Sequence, residues 1–561
     1  MKYNQNAVSQ SEVTRVTTHQ GGQGFSQKPE FELIGILATG IADHFYEKES
    51  EREKRFVEVF NIVAKKDKMF AAKALVYARS VMGQRSITHR GAVEIIKHLS
   101  GSEIAKSFFS KRDKKALRGG IIFRLDDMAE ILACYQAKNG VTAPIPNCIK
   151  KGFKDAIEHA DLYELAKYQM KGKGVSLVDI VNLVHPTATS KNGTINMSVA
   201  EYAKAIDGTK FDPKNKKFKG ESLTVTDGNV IVPALRALVL GVLKQFNTVE
   251  DKNTEAGKVV AAKVKSGEIT AEQATVELNE AKTENFAELI KTKKIGYLAL
   301  LRNLRNILKT NDVDLRNKAC ELLVEPSFVK NSLVFPHQID LALEILMLEF
   351  NNSQAAPVYT ALNKAYELSI PNLKELFPYG KTAVVTDVSG SMSTHIRLGE
   401  RQQGLADALN KGALISATLA KGLDADVYVF ASSAARVSVN TNDSVNTIKN
   451  QIGRGPGVGG GTSWSTIFPE LEKSGVQYDR VFIMSDEQGA DQVESSYKHY
   501  CNRFGTPHVY VVNLCGYGPT MIKANTKVHR IFGYHAGIYE TAKQTEINPE
   551  AIIAEIEAIV I

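Results

Sequence analysis

The stretch "TAVVTDVSGSMS" (382–393) sets the apolar run Ala383–Val385 directly before Asp387, Ser389 and Ser391. A short β-branched run reads as a buried strand, and the polar residues two apart read as the turn that follows it. One carboxylate and two hydroxyls leaving a single strand end suit a hard cation. Outward from this point, "ADVYVFA" (425–431), "DRVFIMSD" (479–486) and "PHVYVVNL" (507–514) are further short Val/Ile/Phe/Tyr runs. Helical stretches alternate with them, including "QGLADALNKGALISATLAKGL" (403–423) and "IFPELEKS" (467–474), and "NPEAIIAEIEAIVI" (548–561) ends the chain as an amphipathic helix. Alternating strand and helix predicts an α/β doubly wound domain over residues 376–561, its parallel sheet covered on both faces.

Ligands of such sheets bind beyond the carboxyl ends of the strands. The glycine-rich "GRGPGVGGGTS" (453–463) brings Thr462 to that rim, and Asp486 ends the strand "IMSD". Asp387, Ser389, Ser391, Thr462 and Asp486 together offer two carboxylates and three hydroxyls. Mg²⁺ prefers oxygen ligands at about 2.0–2.1 Å and keeps several waters. This donor set leaves it underneutralised, so an incoming anion could complete it. The five residues resemble the metal-ion-dependent adhesion site of von Willebrand factor A domains, whose pattern is DxSxS, a distant Thr and a distant Asp. That resemblance implies a divalent metal ion, Mg²⁺, and an acidic protein ligand at it.

At 561 residues, with 43% hydrophobic and 24% charged side chains, the chain is predicted to be soluble, globular and multidomain. Its first 25 residues are polar and rich in Gly and Gln, which excludes a signal peptide and predicts a flexible arm over 1–25. "VIVPALRALVLGVL" (230–243) is too short to cross a membrane and carries Pro233 and Arg236, so it is read as a buried helix. Cys134, Cys148, Cys320, Cys501 and Cys515 form no CxxC pair, which argues against a disulfide framework or zinc site and fits a reduced cytoplasm. The net charge of +8 is uneven, with 18 basic against 7 acidic residues in 51–124. That excess fits a polyanion partner or a solvated helical face with acidic neighbours packed nearby.

From about 30 to 375 the pattern is helical. "REKRFVEVFNIVAKKDKMFAAKALVYARSVMG" (52–83) spaces Phe56, Val59, Ile62 and Val63 by three and four, then continues through Phe70, Ala74 and Tyr77. Short polar breaks between such segments predict stacked helical pairs. The polar stretches 207–222 and 247–273 read as an excursion and a surface helical insertion.

Within this part, "LYELAKYQMKGKGVSLVDIVNLVHPTATS" (162–190) resembles the signature of the TROVE module of telomerase, Ro and vault proteins. "IKKGFKDAI" (149–157), "YLALLRNLRNIL" (297–308) and "FPHQIDLALEI" (335–345) extend the match. A TROVE module followed directly by an A-like domain resembles the Ro autoantigen family, including its bacterial members. The resemblance implies an all-α ring of HEAT-like repeats over 26–375, sealed by the A-like domain. It implies single-stranded 3′ ends of misfolded noncoding RNAs in the central hole, structured Y-like RNAs on the basic outer surface, and a role in RNA quality control, with a 3′ exonuclease as partner. Carried over by position, the RNA-binding residues are Lys167 of the Lys-Tyr pair, Lys171 or Lys173 of the basic turn, His185 of His-Pro, Lys150, Lys151 and Lys154 upstream, and His89 with Arg90 in "THRGA".

Elementary chemistry supports part of this set. Lys150, Lys151 and Lys154 share one helical face and can line a phosphate track. "KGKG" joins charge to backbone freedom, and Pro186 stops a helix so that His185 stands at its end, either as a cap or against RNA. An enzyme is not expected: no base lies near the strand ends beyond Glu487, and no nucleophile–His pair has a recognisable spacing. His395, close to the metal turn, reads as a surface residue. A monomer without membrane contact is expected, and the alternative function is a metal-dependent protein-binding adaptor.

Overall fold

Residues 14–113, 118–160, 295–332, 336–350, 355–369, 373–393, 408–535 and 537–561 are described by the computed structural model, with short pieces between 168 and 291 and at 353. The chain divides into two compact units, Met1–Ile87 with Val324–Ala558 and Thr88–Leu323 with Ile559–Ile561. This division does not coincide with the boundaries read from the sequence at 25 and 375. Helices on both sides of the central segment belong with the sheet.

In the first unit, the hairpin β1 (Arg15–Thr17) and β2 (Gln23–Phe25) precedes three helices, α1 (Pro29–Thr39), α2 (Glu49–Lys66) and α3 (Lys68–Ser80). Asp67 separates α2 from α3: its extended backbone breaks the helical run, and its carboxylate accepts the Met69 and Phe70 N–H groups at 2.9 Å each. The sheet follows as β3 (Thr382–Asp387), β4 (Asp426–Phe430), β5 (Ala434–Val437), β6 (Arg480–Ser485), β7 (His508–Asn513) and β8 (Val528–Phe532). Its spatial order is β8-β7-β6-β3-β4-β5, parallel except for the antiparallel pair β4–β5. The sheet is therefore mixed, where a parallel one was expected. β5 departs because it returns beside β4 after only three residues, a connection that permits only antiparallel pairing.

Both faces are covered, as buried parallel strands require. Every residue of β3 is buried. On one face Trp464, Phe468, Tyr478 and Tyr500 pack against Val481 and Ile483. On the other, the helix Ala408–Leu423 lies over β3 and β6, and a side chain at Gly412 would already meet Met484 at 3.3 Å. Gly35 of α1 approaches Phe532 of β8 in the same way, at 3.1 Å.

The N-terminal segment departs from its expectation. Residues 14–25 do not form a flexible arm; Phe25 pairs with Thr520 through hydrogen bonds of 2.8 and 2.9 Å, and Thr18 Oγ1 donates to Gly489 O at 2.6 Å. The glycines that suggested freedom are packing devices: a Cβ at Gly22 would stand 2.3 Å from Gly489 O, and one at Gly24 2.7 Å from Thr520 O.

In the second unit the helices Asp126–Asn139, Asn147–Glu158, Leu177–Val184, Tyr297–Lys309 and Val313–Leu323 fall on the predicted helical segments. Asn147–Glu158 packs on Ile104–Phe108 and Leu177–Val184, with Gly152 pressed so close to Phe109 that a Cβ would stand 2.4 Å away. Among the described residues no helix is long and apolar enough to cross a membrane, and all five cysteines are free thiols. Lys167, Lys171, Lys173, His185, His395, the helix expected at 230–243 and most of 207–222 and 247–273 lie outside the described residues.

Candidate cation site and lysine helix

Three loops at the carboxyl edge of the sheet carry the five predicted oxygens. Asp387 is the last residue of β3, and Gly390–Ser393 turns immediately into a 3-10 helix. The Asp387 carboxylate accepts the Ser389 N–H at 3.0 Å and the Ser485 hydroxyl at 2.6 Å. Ser389 and Ser391 hydroxyls stand 3.2 Å apart. Thr462 arrives on the glycine-rich loop, which is tied to its neighbours by Gly390 N to Gly460 O at 3.1 Å, Ser463 N to Ala431 O at 2.8 Å and Ala490 N to Thr462 O at 2.8 Å. Asp486 follows β6, its Oδ1 accepting the Gln488 N–H at 2.9 Å.

All five side chains are buried, none more than 3% exposed. Among the described residues Asp486 Oδ2 has no hydrogen-bond partner. Burial pushes the Asp387 carboxyl above its ordinary range, and burial together with the Asp387 charge does the same to Asp486. An unpartnered carboxylate oxygen beside a second carboxylate and three hydroxyls fits a hard, oxygen-seeking cation. Among the described residues no cluster of three His, Cys, Asp or Glu residues offers an alternative metal site.

Several neighbours of this site carry no sequence signal. Gln20 Nε2 donates to Thr462 Oγ1 and to Tyr46 Oη, each at 2.8 Å. Tyr46 lies beside Ser391 and within the field of both carboxylates. Neither Gln20 nor Tyr46 has a spacing that could have announced it; tertiary packing alone brings them here. Glu487, the one base considered from sequence, is fully buried at φ +58°. Its oxygens accept from Met521 N at 3.2 Å, Asn513 Nδ2 at 3.0 Å and the Arg530 guanidinium, so it ties β6 to β7 and β8.

In the second unit the helix Asn147–Glu158 buries Ile149, Phe153, Ala156 and Ile157 on one side. At 100° per residue Lys150, Lys151 and Lys154 fall within one arc on the opposite side. Lys151 is exposed and the other two are half-buried. Lys154 Nζ stands 3.9 Å from the carboxylate of the buried Glu158, an ion pair one turn along the same helix. Arg124 is held by Asp126 at 2.8 and 2.9 Å and lies 4.9 Å over the ring of Tyr168, which follows Lys167 in the Lys-Tyr pair.

His89 is placed differently from its expected role. It is 3% exposed, and its Nε2 lies 3.0 Å from Asp127 Oδ1, whose other oxygen accepts the Phe123 and Arg124 N–H groups. The imidazole is thus part of the helix packing and not of a surface. Arg90, next to it, is half-buried.

No protein-family model matches this chain, and no curated protein sequence does. A solved structure does: that of Deinococcus radiodurans Ro (RSR) protein, at a TM-score of 0.57 and 17% identity, over 92% of this chain and 100% of that one. In its helix-rich portion and its six-stranded α/β portion, this chain therefore has a fold similar to that of a bacterial Ro protein.

Proposed function

We propose that this protein binds noncoding RNA and is not an enzyme. The observation that carries the reading is the arc of Lys150, Lys151 and Lys154 on a helix whose other side is anchored in the core, in a chain with the fold of a Ro protein. Phosphate contacts of this kind position an RNA without reading its sequence. Structured, Y-like RNA is assigned to this basic surface. Lys167, Lys171 or Lys173, and His185 are assigned to the same structured RNA, and single-stranded 3′ ends of misfolded RNAs to a central channel. Grip on an unpaired end through phosphates and stacked bases selects for accessibility of the end, which suits RNA quality control.

The cation site is assigned to Mg²⁺, held by Asp387, Ser389, Ser391, Thr462 and Asp486. It would supply a fixed positive charge where two buried carboxylates otherwise repel. Glu487 is fully engaged in hydrogen bonds and so is held out of any role in activating water at that rim. Sequencing the RNA that copurifies with the full chain, then measuring its retention against salt and EDTA, tests the assignment. Retention is expected to fall steeply with salt and to persist in EDTA. Retention that ignores salt and vanishes in EDTA would instead support capture of a partner through the metal.

A further inference from the structure

The hairpin β1–β2 docks beside the cation site through close backbone approach at its glycines and through the side chains of Thr18, His19 and Gln20. Its turn is closed by Thr18 N to Gly22 O at 2.9 Å and Gly21 N to Thr18 O at 3.0 Å, with Gly21 at φ +85°. Thr18 Oγ1 donates to Gly489 O, and the His19 N–H donates to Gln488 Oε1 at 3.0 Å. Gln488 is the residue whose own N–H is accepted by Asp486. His19 stacks on Tyr46, ring centroids 5.0 Å apart and 4° from parallel. These contacts fix the one side chain between His19 and Gly21, and its carboxamide reaches Thr462 Oγ1 and Tyr46 Oη together.

A hydroxyl has one proton. When it ligates a cation through a lone pair, its O–H must turn away from the metal and find an acceptor. Among the described residues, Gln20 is the hydrogen-bond partner of the Thr462 hydroxyl. A half-turn of the carboxamide exchanges Nε2 for Oε1 at the same place, converting the donor into an acceptor for both hydroxyls. We propose that Gln20 is a positioning residue of the cation site, aiming the Thr462 lone pair at the metal, and that docking of the N-terminal hairpin and cation binding are thereby coupled. The inference rests on the cation reading of the five oxygens. It makes part of the surroundings of the site the N-terminal segment's own: Gln20 and Tyr46 stand beside Thr462 and Ser391.

Coupling is reciprocal, so each event must strengthen the other. Mn²⁺ titrated into the full chain, followed by calorimetry, is expected to raise deuterium-exchange protection of the peptide 14–27. Gln20→Ala should weaken Mn²⁺ binding roughly tenfold, the scale of losing an outer-shell partner, and should abolish the Mn²⁺-dependent protection. Gln20→Glu keeps an acceptor and should restore affinity to the wild-type value or above, which a purely packing role would not do. Equal Mn²⁺ affinity of wild type and Gln20→Ala, or hairpin exchange indifferent to Mn²⁺ in a wild type that binds it, overturns the proposal. If wild type binds no Mn²⁺ and matches Asp387→Ala, the cation reading itself falls and takes the inference with it.

Discussion

Asp486→Asn should make the cation-free protein more stable at alkaline pH while abolishing its response to Mg²⁺. In the cation-free fold, burial raises the Asp387 carboxyl from 3.8 to about 6, and burial plus the Asp387 charge raises Asp486 from 3.8 to about 7. Both folded-state values lie above the unfolded one, so between pH 4 and pH 7 the folded state holds more protons. Stability from this pair is therefore present at low pH and lost as pH rises through that window. At about 1.4 kcal/mol per unit, the upward displacement of the two carboxylates, which titrate together, corresponds to a penalty on the order of several kcal/mol at pH 8 that belongs to the pair. Replacing Asp486 with the isosteric amide removes the charge and keeps an acceptor for the Gln488 N–H. A cation at 100 times its dissociation constant adds about 2.7 kcal/mol to the wild type and nothing to the variant. The single tryptophan, Trp464, is fully buried two residues from Thr462, so its fluorescence reports unfolding of this unit. Guanidinium titrations at pH 5 and pH 8, in EDTA and in Mg²⁺, give all the required free energies. Wild type equally stable at both pH values in EDTA, with no gain from Mg²⁺, would refute the electrostatic argument.

Two further predictions concern the helical unit. Charge reversal of Lys150, Lys151 and Lys154 to Glu should weaken structured-RNA binding and lower the slope of log affinity against log salt by roughly 2–3, as loss of three phosphate contacts requires. An unchanged slope would move the RNA track elsewhere. His89→Ala removes one hydrogen-bond partner of the buried Asp127 carboxylate, at an expected cost of about 1–3 kcal/mol in chemical denaturation of that unit. RNA affinity per folded molecule should stay unchanged; a loss of affinity without loss of stability would return His89 to the RNA surface.

How far the sequence could be read depended on whether a residue's role follows from its own chemistry or from what it touches. β3, β4, β6 and β7 were legible to within a residue or so because they are Val/Ile/Phe/Tyr runs, and burial on both faces demands such runs. β5 and β8 were not. "AARV" is short and partly polar, and "VHRIF" places His529 and Arg530 in the interior, which is possible only because His508 Nδ1 meets His529 Nε2 at 2.8 Å and Glu487 meets Arg530. Asp387, Ser389, Ser391, Thr462 and Asp486 could be picked out by type and order, and the structure brings their side chains to one buried edge of the sheet. Their supports could not be picked out. A Gln and a Tyr in the N-terminal segment mean nothing until the hairpin docks. "GGQG" has the same composition whether its glycines serve freedom or close approach; only Gly489 O and Thr520 O, 2.3 and 2.7 Å from the missing side chains, decide which. The same division separates residues that came from one resemblance. Lys150, Lys151 and Lys154 carry their own argument in their helical spacing, and they lie opposite the buried face. His89 had only its position in a motif to recommend it. A buried imidazole stabilised by Asp127 satisfies that motif as well as an RNA contact would, so residues carried over by position need a surface before they can be given a ligand.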